Sequence, residues 1–251
     1  KQRAEELARA TDGVRSVELA FELAEQYGRP VDIHCDETGD DQSRFVEVMA
    51  KLAIATGMGS AVTASHTTAM HNYNNDYALK LMGIFRRAKM NFITAPFDNS
   101  VLQNRTDGYP RRRGHTRVDE LDAAGVNVSI GHDSIMDPWY PMGRGSMLAA
   151  ANLLMHTAHM SGREQISRLF DMITDNSAVT MGVRDRYGVK PGAPADFVIL
   201  DAPDEFEALR LQSECLFVVR GGTVVCETAP AKRRLRRSGA VREVDFKLPA
   251  R

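Results

Sequence analysis

The sequence predicts an α/β fold, half of a (β/α)8 TIM-like barrel followed by a small β appendage, and three observations support the barrel. Short apolar strands alternate with helical segments of roughly 10 to 17 residues, the pattern of βα units in a parallel sheet. Polar residues end these strands at a steady pitch: His34 and His66 are 32 residues apart and Asp133 lies 67 further on. A barrel of eight units averages about 31 residues per unit. Finally, no glycine-rich phosphate loop follows any strand, although an open doubly wound sheet remains the alternative.

The elements follow in order. "KQRAEELARATDG" begins without methionine and leads into a helix. "GVRSVELAFELAEQYG" places Val14, Val17, Ala20, Phe21, Leu23 and Ala24 at helical spacing and ends in a glycine suited to a C-cap. "PVDIHCDE", "SAVTASH", "NFITAP" and "VNVSIGHD" read as strands. Between them, "SRFVEVMAKLAIATGMG", "DYALKLMGIFRRAK" and "TRVDELDAAG" read as helices, with a polar loop after "NFITAP". Beyond Ser146, "SMLAAANLLMHTAHM" and "REQISRLFDMITDNSAVTMG" read as two long helical segments. "GVKPGAPADFVILDAP" and "CLFVVRGGTVVCET" then suggest short strands around glycine turns. The expected division is barrel units over 1–187 and a β-sandwich segment with a basic tail over 188–251. That tail, "AKRRLRRSGAVREVDFKLPAR", reads as solvated or poorly ordered chain.

Composition narrows the function. With 32 basic and 33 acidic residues in 251, no net positive field exists to attract nucleic acid or an anionic membrane. No apolar run approaches the ~18 residues of a membrane span. Cys35, Cys215 and Cys226 form no Cys-x-x-Cys pair, and their odd number favours a reduced, cytoplasmic setting.

In a parallel barrel the chemistry collects at the C-terminal strand ends. Three ends here carry such groups: His34, Asp36 and Glu37; His66; and His132 with Asp133. One isolated histidine more often closes a strand through hydrogen bonds than binds anything. Three matching ends at regular spacing instead suggest a shared centre. Imidazole nitrogen and carboxylate oxygen together suit one divalent ion, Zn or Fe. His71, His115, His156 and His159 read as solvent-facing or core histidines. The five arginines of "NRTDGYPRRRGHTR" read as a charged surface loop, and Cys35 alternates onto the core face of its strand.

At these residues the sequence resembles the amidohydrolase superfamily, and closely its bacterial cytosine deaminase branch. The matching segments are "VDIHCDE", "VTASHTTAMH", "LQNRTDGYPRRRGHTRV", "GHDSIMDPWYPMG" and "ADFVIL…VVRGG", spanning roughly residues 13 to 228. The resemblance implies a barrel holding one divalent metal, with His34 on strand five and Asp133 on strand eight as ligands. It implies that Glu37 moves a proton onto the ring nitrogen and that His66 hydrogen-bonds the attacking water. Trp139, the only tryptophan, is then similar to an aromatic wall of the base pocket. The implied reaction is hydrolytic deamination of a free pyrimidine, cytosine or 5-methylcytosine, to ammonia and a uracil-type product. Its partner is a small nucleobase, in a protein that is a candidate homo-oligomer. The rivals are deamination of isoguanine, a pterin or a triazine, and a non-catalytic barrel that only binds.

Two departures stand out. The family's leading His-x-His pair and its pyrimidine-reading glutamine are absent, so the chain is expected to begin after strand four of a protein of roughly 400 residues or more. Moreover, a second aspartate commonly follows the metal-binding one in this branch, and here that position is Ser134. A small neutral side chain is expected to leave room for a C5 substituent and to remove a charge from that side of the ring.

Overall fold

The structure, a computed structural model, describes residues 13–248. The helix expected over the first residues therefore lies largely outside the described range. Helix α1 (Gly13–Tyr27) buries Val17, Leu19, Phe21 and Ala24, one face of its apolar periodicity. Four units follow: β1 (Val31–Cys35), α2 (Phe45–Thr56), β2 (Val62–His66), α3 (Asn75–Ala88), β3 (Asn91–Thr94), α4 (Pro96–Leu102), α5 (Val118–Ala123) and β4 (Asn127–Ile130). The strands pair in parallel in the order β1-β2-β3-β4, with Cys35 opposite His66 and Thr94 opposite Ile130. A doubly wound sheet reverses its strand order at a switch point. This sheet runs in one direction without reversal, as a barrel arc does.

The packing follows from the strand alternation. In β1, Val31 and Cys35 are buried, whereas Asp32 and His34 are exposed on the other face. The buried side meets Val46, Met49, Ala50 and Ala53 of α2. Leu81 and Phe85 of α3 are also fully buried, and Phe85 packs edge-on against Phe92 of β3 at 4.8 Å. Burying a phenylalanine of this kind stabilises the fold by roughly 1.5–3 kcal/mol relative to exposure. Burial also pushes the Cys35 thiol well above its ordinary range, so it is an inert core residue, as its alternation predicts.

After β4 come α6 (Met147–Thr157), α7 (Arg163–Met172) and α8 (Asp175–Thr180). The second long segment expected from sequence is thus broken at Ile173 and Thr174. The Thr174 hydroxyl bonds back to the Phe170 carbonyl there, so the side chain closes the first helix instead of continuing it. Strands β5 (Phe197–Leu200), β6 (Cys215–Arg220) and β7 (Thr223–Glu227) form an antiparallel sheet, interrupted by α9 (Glu205–Leu211). Asp204 caps α9 by accepting from the Glu207 N–H at 2.8 Å.

The tail corrects the sequence expectation. Strands β8 (Arg233–Arg237) and β9 (Ala240–Val244) form a hairpin around Ser238 and Gly239, both at positive φ (49° and 77°). Two positive central residues give the primed turn whose twist matches antiparallel strands. The tail is solvent-exposed, as expected, but ordered into strands. Charge density hid the β pattern of Leu235 and Val241 within the arginines. Among the described residues, no helix is long and apolar enough to cross a membrane.

Candidate active site

Three of the four strand ends deliver the cluster. Glu37 follows β1, His66 ends β2, and Asp133 follows β4. Four non-glycine residues at these ends occupy the left-handed region: Asp36 (φ 51°), His66 (67°), Thr67 (47°) and Asp133 (65°). Such conformations cost energy and persist only where surroundings enforce them, most often at functional sites.

His66 is the hub, 3% exposed. Its Nδ1 lies 3.5 Å from Glu37 Oε1 and its Nε2 lies 3.7 Å from Asp133 Oδ2. The His34 ring meets it edge-on, with centroids 4.5 Å apart. Burial lowers the His66 pKa most, Glu37 and Asp133 pull it upward, and His34 adds to the lowering. Desolvation wins, so the ring is held neutral.

His34, Glu37 and His66 each offer a ligand atom, all within 4.8 Å of one another. Two nitrogens and an oxygen at that spacing fit a divalent transition ion. The sequence reading pairs His34 with Asp133 instead. In the structure Asp133 approaches this group through His66.

Helix α4, read from sequence as a polar loop, supplies the groups that the sequence reading missed. Asn99 donates its Nδ2–H to His66 Nδ1 at 2.9 Å. Gln103, just past the end of α4, donates to Glu37 Oε1 at 3.4 Å. Asp98, 2% exposed, accepts the Ser134 backbone N–H on Oδ2 at 3.3 Å. Burial raises the Asp98 pKa, a Ser134 hydrogen bond opposes the rise, and the Asp133 charge reinforces it. The available signal was "FDN" directly after a fourth strand end, at the same barrel level as the other three.

Other strand-end residues have structural duties. Asp36 caps α2, accepting from the Ser43 hydroxyl (2.7 Å), the Phe45 N–H (3.0 Å) and the Val46 N–H (2.8 Å). His132 packs against Phe97 at 4.8 Å and donates from Nδ1 to the Ser134 carbonyl at 3.2 Å. Trp139 is 63% exposed, its backbone N–H held by Asp137 at 2.9 Å. Within this chain it is an exposed loop residue.

The remaining histidines behave as expected of core or surface residues. His115 is buried with neither ring nitrogen partnered among the described residues, and His156 bonds its own helix at the Asn152 carbonyl. In the arginine-rich loop, Arg112 binds Asp107 and Gly39, Arg113 binds the Thr157 carbonyl, and Arg117 binds the Met70 carbonyl. These guanidinium groups tie the loop down.

A parallel arc with an aspartate and a His/Glu/His cluster that could hold a metal ion at its strand ends is the architecture of half a barrel. Residues 4–226 match the amidohydrolase family, and the chain belongs to it. Among solved structures it is similar to 5-methylcytosine deaminase from Klebsiella pneumoniae liganded with 5-fluorocytosine. The two are 46% identical with a TM-score of 0.87, over 89% of this chain and 54% of that one. It is 27% identical to a pterin deaminase of Rhizobium rhizogenes (strain K84 / ATCC BAA-868), over 83% of this chain and 47% of that protein. It is 24% identical to N-isopropylammelide isopropyl amidohydrolase of Pseudomonas sp. (strain ADP), over 84% and 49% respectively. The chain thus spans about half the length of these relatives.

Proposed function

We propose that the protein containing this chain deaminates a free pyrimidine base hydrolytically, 5-methylcytosine or cytosine, using one divalent ion, Zn or Fe. The observation that carries this is the convergence of Glu37 and Asp133 on the two nitrogens of one buried neutral histidine. The similarity to a deaminase liganded with 5-fluorocytosine supports the ring system.

His34 and Asp133 are the ligands this chain contributes. His66 is less suited, because its Nδ1 lone pair is engaged by Asn99 and the proton of the neutral ring then sits on Nε2. Glu37 is engaged by Gln103 on Oε1. The ion supplies Lewis acidity that makes water nucleophilic near neutral pH. The residues do the rest. Asp133 and His66 stand 3.7 Å apart, too far for a direct hydrogen bond, with Nε2–H available to orient a water. Asp133 accepts the proton of that water as its oxygen attacks C4. Glu37 delivers a proton to ring N3 as C4 becomes tetrahedral; Asp133 then passes its proton to the exocyclic amine, the C4–N bond breaks to release ammonia, and the C4 hydroxyl returns its proton to Glu37 as the carbonyl forms. Ser134 leaves room beside C5, and Trp139 walls the base pocket in the whole protein. Barrel units over 1–187, a β-sandwich segment over 188–251, a cytoplasmic location and a homo-oligomer complete the reading.

The test is ammonia release from full-length, metal-analysed protein given cytosine, 5-methylcytosine and isoguanine side by side. Release from the cytosines supports the proposal. Release only from isoguanine overturns the pyrimidine part. No release and no bound metal favours a barrel that only binds. The likeness to a pterin deaminase makes a pterin the second ring system to assay.

A further inference from the structure

Residues 131–134 form the turn that carries Asp133, and the corner between β3 and α4 holds this turn at three places. The Gly131 N–H donates to the Thr94 carbonyl at 2.9 Å. The His132 ring packs on Phe97 at 4.8 Å. The Ser134 N–H donates to Asp98 Oδ2 at 3.3 Å. Between these ties Asp133 is kept at φ 65°, in the left-handed region that few non-glycine residues occupy.

Asp98 is the one charged tie, and it is costly. A buried carboxylate needs hydrogen bonds on both oxygens to offset lost hydration, yet Oδ1 has no partner among the described residues. Asp98 also sits in the first turn of α4, where an acidic side chain ordinarily serves its own helix N-terminus. Here it reaches across to the neighbouring strand end instead. An apolar side chain would pack at this place at lower cost, so a hydrogen-bond acceptor here is explained by the backbone it holds.

We propose that Asp98 is a positioning residue for Asp133. By accepting the Ser134 N–H it fixes the strained turn and so aims the Asp133 carboxylate into the cluster. The inference rests on the reading of Asp133 as a metal ligand, but its test does not depend on which base is the substrate.

The experiment uses full-length protein and measures Zn2+ affinity by competition with a chromophoric chelator, alongside kcat and KM. Asp98→Ala removes the acceptor, and Asp98→Asn keeps an acceptor oxygen of the same shape. The expected result is that Asp98→Ala loses about 10- to 100-fold in Zn2+ affinity, the range for removing the support of a ligand. Its kcat falls while KM holds, and Asp98→Asn restores Zn2+ affinity to within about threefold. A purely packing role would move thermal stability without moving Zn2+ affinity. Two results overturn the proposal: Asp98→Ala binding Zn2+ like the parent, or Asp98→Asn, well folded by circular dichroism, binding as weakly as Asp98→Ala. Should Asp98→Ala fail to fold, the Asp98→Asn affinity alone decides: loss of about tenfold or more overturns the proposal, and parent-like binding supports it. If no pyrimidine is deaminated by the parent, the functional reading fails while the Zn2+ comparison still judges Asp98.

Discussion

The Asn99 side chain dictates the tautomer of His66. Its Oδ1 accepts the Ala95 N–H at 3.3 Å, which fixes which end of the amide is which. Its Nδ2–H then donates to His66 Nδ1 at 2.9 Å. An amide nitrogen has only protons to offer, so Nδ1 accepts, and the ring proton resides on Nε2 facing Asp133.

Asn99→Asp reverses this arrangement. A carboxylate accepts from Nδ1–H, which moves the ring proton away from Nε2. The expected outcome is a fall in kcat of about 10- to 100-fold with KM little changed. Nitrogen-15 spectra of His66 should show the change of tautomer. An unchanged tautomer would remove Asn99 from the account.

Glu37 and Asp133 separate by phenotype. Glu37→Gln keeps the shape but cannot shuttle a proton, so it should retain the metal and lose about 100-fold or more in kcat. Asp133→Ala should lose turnover and weaken metal retention together. Metal content measured beside steady-state rates distinguishes the two, and a Glu37→Gln rate within a few-fold of the parent would end the proton-shuttle assignment.

Asp36 belongs to stability, not chemistry. Its carboxylate serves two N–H groups and a hydroxyl at the start of α2. Replacing an N-terminal cap costs about 1–2 kcal/mol, and orphaning buried donors adds to it. Asp36→Ala is expected to lower the denaturant midpoint by an amount equivalent to about 2 kcal/mol or more, with KM unchanged in the folded fraction.

The strands were legible because their apolar runs are short and end in polar groups at a constant pitch, as at His34, His66 and Asp133. The sheet order was not legible, since alternation alone fits an arc or a doubly wound sheet. Helix α4 was missed because "PFDNSVL" is short and polar, with Asp98 and Asn99 facing a site instead of a core. Asp36 and Glu37 look alike in sequence. Only the position of α2 shows that one carboxylate meets helix N–H groups and the other meets His66.

His115 gives the fold an acid sensitivity. Burial, then the charges of His71 and Arg113, lower its pKa to about 4. The unfolded value is about 6.5, so the unfolded state takes up the proton first. Stability is therefore full above about pH 6.5 and declines as pH falls toward 4, by roughly 3 kcal/mol at most from this group. His115→Phe should flatten the decline between pH 6.5 and 4 in denaturant midpoints. Because neither ring nitrogen has a partner among the described residues, it should cost little at pH 7.5.

Ser134 and Asp98 together set the last prediction. A second carboxylate at position 134 would fill the space beside the C5 side of the base and stand next to the buried Asp98 and to Asp133. A methyl-sized conflict in a pocket is worth about 1–3 kcal/mol. Ser134→Asp is therefore expected to shift the kcat/KM ratio of 5-methylcytosine to cytosine downward by about tenfold or more. It should also destabilise the fold, since carboxylates in contact cannot all ionise without cost. Asp98→Ala in the Ser134→Asp background relieves that repulsion, so the stability of the double variant should exceed that of Ser134→Asp alone. A substrate ratio unchanged in Ser134→Asp would show that position 134 does not border C5.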